Sequence, residues 1–520
     1  MSNTQPLSAP ELGRWAWVQL TSMRTALVLL FLLALAAVPG AMVPQRANEP
    51  AEVLSFKEAN PRLGEVYETL GLFHVYTSVW FSAVYLLLFI SLVGCIVPRI
   101  RVYLKALRAE PPATPARLSR LPESASLTVA RPAADVLDAA EAALRRKRFR
   151  VVRRGDSVAA ERGYLREAGN LLFHLSLLVL LIGVAWGQLF GYKGSSIVVV
   201  GQGFANNVTQ YDDFSAGGWF RQSALPAFAL TLDKFDVRFE TGPVQTGAAR
   251  EFTAHVTLTG QPGAAETKET LEVNHPLRIG GSMVHLSAHG YAPVVMVTDG
   301  DGNVAFNGPV VFLPQDGNFT STGAIKAPDA RPKALGFEGF FLPTATVDSS
   351  GPHSVFPDAL RPQLFVNAWS GEPRAEDGTP HSVYTLDTTG MTQITGADGN
   401  PVATRLNPGE YLDLPDGQGR LTFVGYRRWA KLQVSSAPGL PLTVGSVGTA
   451  ILGLMASMFV RPRRIWVRAG GTGTEQVAVE IGGLDRAEAR TGLDQDVADL
   501  VAVMEDGSVH EGTHDEGTQR

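Results

Sequence analysis

Four long apolar stretches constrain this chain more than any other feature of its sequence. None of them contains a lysine, arginine, aspartate or glutamate, and they occupy residues 26–43, 79–97, 171–188 and 442–460. Each has about the 20 residues that an α-helix needs to cross the hydrocarbon core of a bilayer. We therefore predict a polytopic membrane protein with four transmembrane helices, at residues 24–44, 76–97, 168–189 and 441–460.

The charges beside these stretches predict their orientation. Arg14 and Arg24 precede the first stretch, "PRIRVYLKALR" follows the second, "RPRRIWVR" follows the fourth, and the loop between the first two is acidic. Because positively charged flanks stay in the cytoplasm, we expect a multi-pass protein of the cell membrane with both termini inside. The predicted cytoplasmic segments are 1–23, 98–167 and 461–520. The predicted extracytoplasmic segments are 45–75 and 190–440. A cleaved signal peptide is the alternative for the first stretch.

The segment 98–167 is basic but is patterned like a small folded α/β module. "RPAADVLDAAEAALRRKRF" predicts an amphipathic helix with Val136, Leu137, Ala140 and Leu144 on one face. "FRVVRRGDSVAAERG" predicts a hairpin that turns at Gly155-Asp156. We interpret its basic residues as setting topology and contacting anionic lipid rather than binding RNA.

The region 190–440 alternates apolar and polar residues, as strands do. Runs such as "FALTLDKFDVRFE" and "REFTAHVTLTG" are separated by turn signals such as "DGDGN" and "GADGN". We predict a large, sandwich-like β-rich domain of one or two lobes. The segment 461–520 is rich in glycine and acidic residues and poor in aromatic residues, so we expect it to be largely disordered.

Composition excludes several functions. The net charge of −5 argues against nucleic acid as a partner. Cys95 is the only cysteine, so an intrachain disulfide, a CxxC redox pair and a zinc–cysteine site are all impossible. No nucleophile elbow, HExxH helix or Walker loop occurs, and we therefore predict no catalytic residue.

Histidines are the strongest candidates for binding, because imidazole is the commonest protein ligand of haem iron. His174 lies inside the third stretch, roughly 7–8 Å from its cytoplasmic end by helix rise. There it needs either a hydrogen-bond partner or a ligand, and both interpretations stay open. His74 lies at the outer mouth of the second stretch, and His275 lies in the β-rich region. The spacing of His285 and His289 suits metal only on a helix, and this segment is patterned as strand and turn, so we predict no metal site.

Four longer segments resemble the ResB family of cytochrome c biogenesis proteins, in the form carried by high-GC Gram-positive bacteria. The segments are "WAWVQLTSMRTALVLLFLLALAAVPGAMVPQR", "VYTSVWFSAVYLLLFISLVGCIVPR", "REAGNLLFHLSLLVLLIG" and "VNHPLRIGGSMVHLSAHGYAP". The resemblance extends from about Trp15 to Arg468. The family's plan has four spans and a large extracytoplasmic domain between the third and fourth, which agrees with the topology predicted from the flanks.

The resemblance implies a function in haem delivery. ResB-like proteins form a complex with a ResC-like (CcsA) partner, which moves haem to the outer face of the membrane and joins it to the CxxCH of apocytochrome c. The partner carries the tryptophan-rich haem-binding segment, whereas the eight tryptophans of this chain are scattered. The chain is then one subunit of a haem lyase complex and not a stand-alone enzyme. It would hold b-type haem transiently and share it with the partner, while a thioredoxin-like reductant acts indirectly.

The resemblance also implies site residues. An intramembrane histidine is the family's haem-related feature, and His174 is the position that matches it. The second span of the family has its histidine further on, where this chain reads "YTSVW", so His74 departs from the pattern. His275, in the fourth segment, is the remaining candidate haem ligand.

Two other functions compete with haem delivery. A structural or sensory membrane protein would use its extracytoplasmic β-domain to recognise an envelope ligand. A transporter is disfavoured because the four stretches show neither an internal repeat nor broken helices. A Soret band in the protein purified with its membrane neighbours would favour haem delivery over the sensory alternative.

Overall fold

The computed structural model describes residues 8–46, 50–163, 165–349, 351–372, 383–470, 476–485 and 492–506. The chain folds as two compact units. Unit 1 contains residues 1–185 and 439–520, and unit 2 contains residues 186–438.

The described residues contain nine α-helices. They are α1 (Ala9–Leu20), α2 (Met23–Met42), α3 (Pro50–Ala59), α4 (Pro61–Thr69), α5 (Val79–Arg108), α6 (Ala133–Arg146), α7 (Leu165–Phe190), α8 (Leu440–Phe459) and α9 (Leu493–Asp506). Short 3-10 helices occupy Leu72–Thr77, Leu118–Arg120, Val208–Gln210, Gln222–Ala224 and Pro415–Gly417. The helices α2, α5, α7 and α8 are long and apolar enough to cross a membrane, which confirms the prediction of four apolar helices.

The same residues contain 24 strands. They are β1 (Glu123–Val129), β2 (Arg150–Arg154), β3 (Ser157–Arg162), β4 (Tyr192–Val199), β5 (Gly203–Ala205), β6 (Asp213–Ala216), β7 (Ala229–Phe239), β8 (Ala249–Thr259), β9 (Glu266–Glu272), β10 (Leu277–Ile279), β11 (Ser282–Asp299), β12 (Val304–Pro309), β13 (Leu313–Pro314), β14 (Ser321–Ala327), β15 (Ala334–Leu342), β16 (Ala345–Asp348), β17 (Gly351–Ser354), β18 (Gln363–Gly371), β19 (Met391–Gln393), β20 (Ala403–Leu406), β21 (Tyr411–Asp413), β22 (Gly419–Ser436), β23 (Arg463–Gly470) and β24 (Val477–Asp485).

The helix α5 extends beyond the apolar stretch that predicted it. It continues through Pro98 to Arg108, and the residues after Pro98 include several good helix formers, namely arginine, leucine, lysine and alanine. The loop 45–75, for which the sequence predicted no elements, contains α3, α4 and a 3-10 helix. The Gln45 side chain holds this loop to the end of α2, because its Nε2 donates to the carbonyls of Val43 and Leu72, each at 2.9 Å.

Residues with small side chains bring α7 and α8 into close contact. Gly169, Ser176 and Gly183 recur every seven residues on α7, and all three are buried. A Cβ atom added to Gly169 would lie 2.6 Å from the backbone nitrogen of Ser457, and one added to Gly183 would lie 2.6 Å from Thr443 Oγ1. Close backbone contact helps to hold helices together in a bilayer. Apolar side chains gain no hydrophobic free energy there by moving from lipid to a helix interface.

Unit 1 also contains a five-stranded antiparallel sheet, in the order β1-β24-β23-β3-β2. The helices α6 and α9 pack against it. The predicted amphipathic helix forms as α6, with Val136, Leu137, Ala140 and Leu144 all buried in the shared core. The predicted hairpin forms as β2 and β3, which turn at residues 155–156. We call this part of unit 1 the five-stranded module.

The C-terminal region differs from the sequence prediction. The prediction of a largely disordered tail at 461–520 is wrong for β23, β24 and α9, which complete the module. Val477, Val479 and Ile481 of β24 alternate into the core, and α9 adds Leu493, Val497, Leu500 and Met504. These apolar positions outweigh the glycine-rich and acidic composition of the segment as a whole. Residues 471–475, 486–491 and 507–520 lie outside the described residues.

A charged cluster fastens α9 to the sheet. Asp496 accepts from Arg463 Nη1 at 2.7 Å and from Lys147 Nζ at 2.9 Å. The side chains of Arg463 and Asp496 are each only 10% exposed. Because loss of one partner would leave a poorly hydrated charge uncompensated, this cluster favours one docking position of α9.

Unit 2 is built largely from strands, which confirms the prediction of a large β-rich region. Its seven-stranded sheet has the order β10-β11-β22-β4-β6, with β12 on β11 and β21 on β22. A six-stranded sheet has the order β13-β14-β15-β18-β19, with β20 on β18. A four-stranded sheet has the order β5-β7-β8-β9, and β16 and β17 form a hairpin.

Two hydrophobic cores share the seven-stranded sheet. Its long strands β11 and β22 pair from Met283 opposite Ser435 to Asp299 opposite Gly419. One core lies between this sheet and the four-stranded sheet, and it includes Leu230, Leu232, Val256, Leu271, Val284, Leu432 and Val434. The other lies between this sheet and the six-stranded sheet, and it includes Val295, Val297, Ile325, Phe337, Leu364, Val366 and Phe423. The region is therefore two sandwich-like lobes with one sheet in common.

Aromatic side chains cluster at the end of α7. The rings of Trp186 and Phe190 are 4.6 Å apart, and those of Phe190 and Trp219 are 5.6 Å apart. Both tryptophans are exposed. Exposed indoles of this kind favour the interface between lipid and water, where their apolar rings and N–H groups are both accommodated.

Candidate functional site

The histidines that the sequence singled out occupy different environments. His174 in α7 and His74 in the 3-10 helix Leu72–Thr77 belong to unit 1, and His275 belongs to unit 2. Among the described residues, no hydrogen bond, ion pair or ring contact joins His174 to His74.

His174 is half-buried, and one of its ring nitrogens is occupied. Its Nδ1 lies 2.8 Å from the backbone carbonyl oxygen of Asn170, one helical turn earlier. The Phe173 ring meets the imidazole edge to face, with 5.2 Å between ring centroids. These two contacts fix the orientation of the imidazole on α7.

The contact with Asn170 decides the tautomer of His174. A carbonyl oxygen can only accept a hydrogen bond, so Nδ1 must carry the proton and donate it. In a neutral imidazole the other nitrogen, Nε2, then keeps its lone pair. A backbone carbonyl that accepts from one nitrogen is the usual arrangement for a histidine whose other nitrogen binds metal. In its neutral form, His174 thus has an oriented Nε2 with a free lone pair.

The imidazole of His174 lies on a side of α7 that α8 does not cover. His174 is five residues from Gly169, which places it roughly 140° around the helix from the contact with α8. Leu181 is seven residues beyond His174 and therefore lies on nearly the same side as the histidine. The Tyr85 hydroxyl of α5 donates to the Leu181 carbonyl. The side that carries His174 is thus flanked by α5 and remote from α8.

His74 is exposed and irregular in backbone conformation. It has φ −146° and ψ 48° inside its 3-10 helix, which departs from helical values. Its ring has no hydrogen-bond partner among the described residues, and the nearby Gly71 would place an added Cβ 3.3 Å from His74 Nε2. Nothing in this arrangement orients the ring for ligation.

His275 is also a surface residue. Its side chain is 80% exposed, and its Nδ1 lies 3.9 Å from Glu272 Oε2, a contact that carries charge only when the histidine is protonated. An exposed ring beside one carboxylate has no apolar surface around it that would hold a porphyrin. His174 is therefore half-buried, whereas His74 and His275 are exposed.

His289 is a residue whose environment the sequence did not predict. It is buried where the two lobes of unit 2 meet, and its ring lies 4.5 Å from Phe252, 4.7 Å from Phe319 and 5.4 Å from Phe235 between centroids. Phe235 and Phe252 belong to the four-stranded sheet, and Phe319 precedes β14 of the six-stranded sheet. We call these three phenylalanines and His289 the phenylalanine cage.

The cage leaves His289 neutral. Its Nδ1 is buried without a hydrogen-bond partner among the described residues. Burial lowers the pKa of His289 to about 4, and the positive charge of Arg428 acts in the same direction. His285 lies four residues earlier on the same strand, beyond an irregularity in pairing at Leu286 and Ala288. The described residues hold no cluster of three His, Cys, Asp or Glu suited to a metal ion.

Comparisons with known proteins identify the family of the chain. Residues 23–498 match the ResB-like family. The cytochrome c biogenesis protein CcsB of Synechococcus sp. strain WH7803 is 28% identical over 457 residues, which cover 86% of this chain and 89% of the relative. The CcsB protein of Synechococcus elongatus is 25% identical over 479 residues, covering 89% and 90%. That of Synechococcus sp. strain CC9311 is 31% identical over 271 residues, covering 51% and 58%.

The family match includes the structural features described above. It begins at the start of α2 and ends within α9, so it contains all four apolar helices, the whole of unit 2 and the strands of the five-stranded module. His174, with its free nitrogen, lies within it. The chain therefore belongs to the ResB-like family.

Proposed function

We propose that this chain acts in cytochrome c biogenesis, as a subunit of a membrane complex that transfers haem across the cytoplasmic membrane and supports its covalent attachment to apocytochrome c. Membership of the ResB-like family supports this proposal, and so do the names of its cyanobacterial relatives. The four apolar helices suit a function inside the bilayer.

His174 is the residue that we assign to haem. The hydrogen bond from its Nδ1 to the Asn170 carbonyl is the observation that carries the assignment, because it leaves Nε2 of a neutral imidazole with a free lone pair. An imidazole of this tautomer is a suitable axial ligand for iron. In lipid alone that nitrogen would have no partner, and a buried acceptor without a partner is unfavourable.

The opposite axial position belongs to a partner in this proposal. The side of α7 that carries His174 is remote from α8, and in this proposal the second membrane protein approaches α7 there, beside α5. A tryptophan-rich protein of the ResC/CcsA type fits this role, with apocytochrome c as the acceptor of the haem. Cys95 is the only cysteine of the chain, so the thiols of the acceptor depend on a separate reductant of the thioredoxin type.

The direction of transfer depends on topology. We place residues 1–23, 98–167 and 461–520 in the cytoplasm and residues 45–75 and 190–440 outside, because the basic flanks all favour that orientation. Alkaline phosphatase fused after Gly218 is expected to be active, and the same enzyme fused after Arg131 is expected to be inactive. The reverse pattern would contradict the topology.

Substitution of His174 tests the haem assignment. In a strain that depends on this chain, His174→Ala is expected to accumulate normally, because alanine suits an apolar helix. Loss of an outer-shell hydrogen-bond partner lowers metal affinity roughly 10–100-fold. Loss of the ligand itself is expected to lower haem retention by more than that. The c-type cytochromes should then be absent. His174→Gly leaves space for added imidazole, which is expected to restore part of the cytochrome signal.

The exposed histidines provide matched controls. His74→Ala and His275→Ala remove the same side chain from positions that we assign no axial role, and both variants are expected to assemble cytochromes as the wild type does. Full assembly of c-type cytochromes by His174→Ala would show that its ring serves only to hydrogen-bond within α7. Normal haem retention without cytochrome assembly would also contradict the axial assignment. His174 would then act in a step that follows haem binding.

A further inference from the structure

A loop of unit 2, residues 217–224, lies against the end of the apolar helix α7, and we call it the Trp219 loop. The backbone N–H of Trp219 donates to the carbonyl of Leu189, and that of Gly217 donates to the carbonyl of Gly191, each at 2.9 Å. The last carbonyls of a helix have no partner within the helix, so the loop supplies one that α7 lacks. A Cβ added to Gly217 would collide with the carbonyl oxygen of Leu189, so glycine is what allows this close approach.

The two aromatic residues of the Trp219 loop have different surroundings. The ring of Phe220 lies 5.3 Å from that of Tyr192 and 5.8 Å from that of Phe214, so it packs against the core of the neighbouring lobe. Trp219 is 62% exposed, and its indole N–H has no acceptor among the described residues. Phe220 therefore holds the loop from inside, while Trp219 presents a large apolar ring and a free donor outside.

The exposed ring of Trp219 continues the aromatic surface of α7. Its centroid is 5.6 Å from that of Phe190, which is 4.6 Å from that of Trp186. The 26 residues of α7 give a length of about 39 Å, which exceeds the roughly 30 Å of hydrocarbon in a bilayer. Because its apolar stretch ends at Gln188, the boundary of the hydrocarbon is expected within its last turn, where the Trp219 loop is attached.

The composition of the Trp219 loop also suits lipid. The loop contains no aspartate or glutamate, and its one charged residue, Arg221, is exposed and has no carboxylate partner among the described residues. A guanidinium binds phosphate well, and lipid headgroups carry phosphate. Indoles are enriched in the same layer of the bilayer. Because the exposed aromatic surface continues from an apolar helix, a lipid surface is the partner that it fits.

We propose that the Trp219 loop inserts into the headgroup layer of the bilayer, with the Trp219 indole as its apolar anchor and Arg221 in contact with lipid phosphate. Unit 2 then has a third attachment to the membrane, in addition to its chain connections to α7 and α8. The loop connects β6 to β7, so this attachment acts directly on the seven-stranded and four-stranded sheets. The proposal does not depend on haem or on the direction in which the chain crosses the membrane.

A fluorophore attached beside Trp219 tests the insertion. The full-length chain is first made free of cysteine by Cys95→Ser, which keeps a donor for the Thr21 carbonyl. Gly218→Cys then places the label next to the indole, and Gly317→Cys places it between β13 and β14 as the matched control. Both glycines are exposed, and a Cβ added to either meets nothing within 4 Å. Each labelled protein is reconstituted in vesicles of phosphatidylcholine and phosphatidylglycerol, with or without a nitroxide quencher on the lipid headgroup.

The label at position 218 is expected to be quenched by the nitroxide lipid and protected from iodide in the water, and the label at position 317 is expected to show the opposite. Adding Trp219→Ser to the Gly218→Cys protein should remove most of the lipid quenching, whereas Trp219→Tyr should retain it, because tyrosine suits the same layer. The thermal unfolding midpoints of these proteins should agree, since the Trp219 ring is mostly exposed.

Two results would overturn the proposal. One is iodide quenching at position 218 as strong as at position 317, which would leave a protein partner as the occupant of the exposed indole. The other is lipid quenching at position 218 that Trp219→Ser does not reduce, which would show that the indole does not anchor the loop.

Discussion

His174 is half-buried on an apolar helix and His289 is buried in the β-rich unit, and their surroundings differ. On α7, Nδ1 of His174 is satisfied by the Asn170 carbonyl, and the residue lies on a side of the helix remote from α8. In the phenylalanine cage, Nδ1 of His289 is buried without a partner among the described residues, and the ring is closed in by Phe252 and Phe319. One histidine is oriented and available, and the other is enclosed.

The difference shows that burial alone does not identify a ligand. A ligating imidazole needs one nitrogen fixed by a hydrogen bond and the other nitrogen accessible to the incoming group. His174 meets both conditions, whereas the packing of His289 between two lobes serves the fold. A buried histidine with a low pKa, such as His289, is therefore not by itself a candidate ligand.

Replacing each of the two histidines with leucine tests this difference most directly, and it has the largest expected effect. His174→Leu is expected to abolish c-type cytochrome assembly, because it removes the free nitrogen while keeping an apolar side chain on α7. His289→Leu is expected to leave assembly intact, because leucine fills the cage without an unsatisfied nitrogen. Haem-stained membranes and immunoblots for the chain measure both outcomes. Loss of cytochromes in the His289 variant at normal protein levels would refute the distinction.

A second prediction concerns the acid stability of the phenylalanine cage. Below about pH 6.5 the unfolded chain gains a proton on this histidine, whereas the folded chain resists protonation down to about pH 4. The contribution of neutral His289 to stability is thus present above about pH 6.5 and is lost as the pH falls toward 4. The loss amounts to at most about 3 kcal/mol.

Unfolding of the full-length protein in detergent measures this loss. Wild type and His289→Leu are compared at pH 7 and at pH 4.5, so that other titrating carboxylates cancel in the difference. The leucine variant is expected to be as stable as wild type at pH 7 and more stable than wild type at pH 4.5. An unchanged difference between the two pH values would mean that His289 is solvated and not caged.

The third prediction has the smallest expected effect and concerns the backbone contact that supports His174. A Cβ added to Gly453 of α8 would lie 2.6 Å from the backbone nitrogen of Phe173, the residue before the histidine. Gly453→Ala is therefore expected to destabilise the folded protein by about 2 kcal/mol, since overpacked contacts must separate. It should also shift the Soret maximum of retained haem by displacing α7.

Gly448→Ala is the matched control for that change. Gly448 is on the same helix, and an added Cβ there would meet nothing within 4 Å. Its unfolding midpoint is expected to rise slightly or stay the same, because alanine favours helix over glycine. Equal destabilisation by both alanine variants would contradict the prediction. It would show that the loss of stability does not come from the contact between α8 and α7.

The sequence predicted best where a signal is local and repeated. The four apolar helices follow from uninterrupted apolar runs, and α6 follows from the spacing of Val136, Leu137, Ala140 and Leu144. The hairpin at Gly155-Asp156 follows from its turn residues. His174 was a candidate from its unusual position in a span, but only coordinates provide the contact with Asn170 that decides which nitrogen is free.

The sequence predicted poorly where partners are distant along the chain. The strand β24 has the alternating residues Val477, Val479 and Ile481, but the surrounding composition obscured them, and its partner β1 lies far earlier in the sequence. The phenylalanine cage depends in the same way on Phe252 and Phe319 meeting His289 from separate sheets. Such contacts are set by tertiary pairing, which residue patterning along one segment does not encode.

The split construction of the five-stranded module has a consequence for biosynthesis. Glu161 of β3 accepts from Arg464 of β23, 303 residues later, and α7, unit 2 and α8 all lie between them. At about 5–20 residues per second, a ribosome needs roughly 15–60 s to supply the second half after the first has emerged. During that interval β1, β2, β3 and α6 lack the partners that cover their apolar faces. Completion of the module therefore marks a chain in which α8 has already been made, and a chain that stops before β23 would leave the first half of the module uncovered.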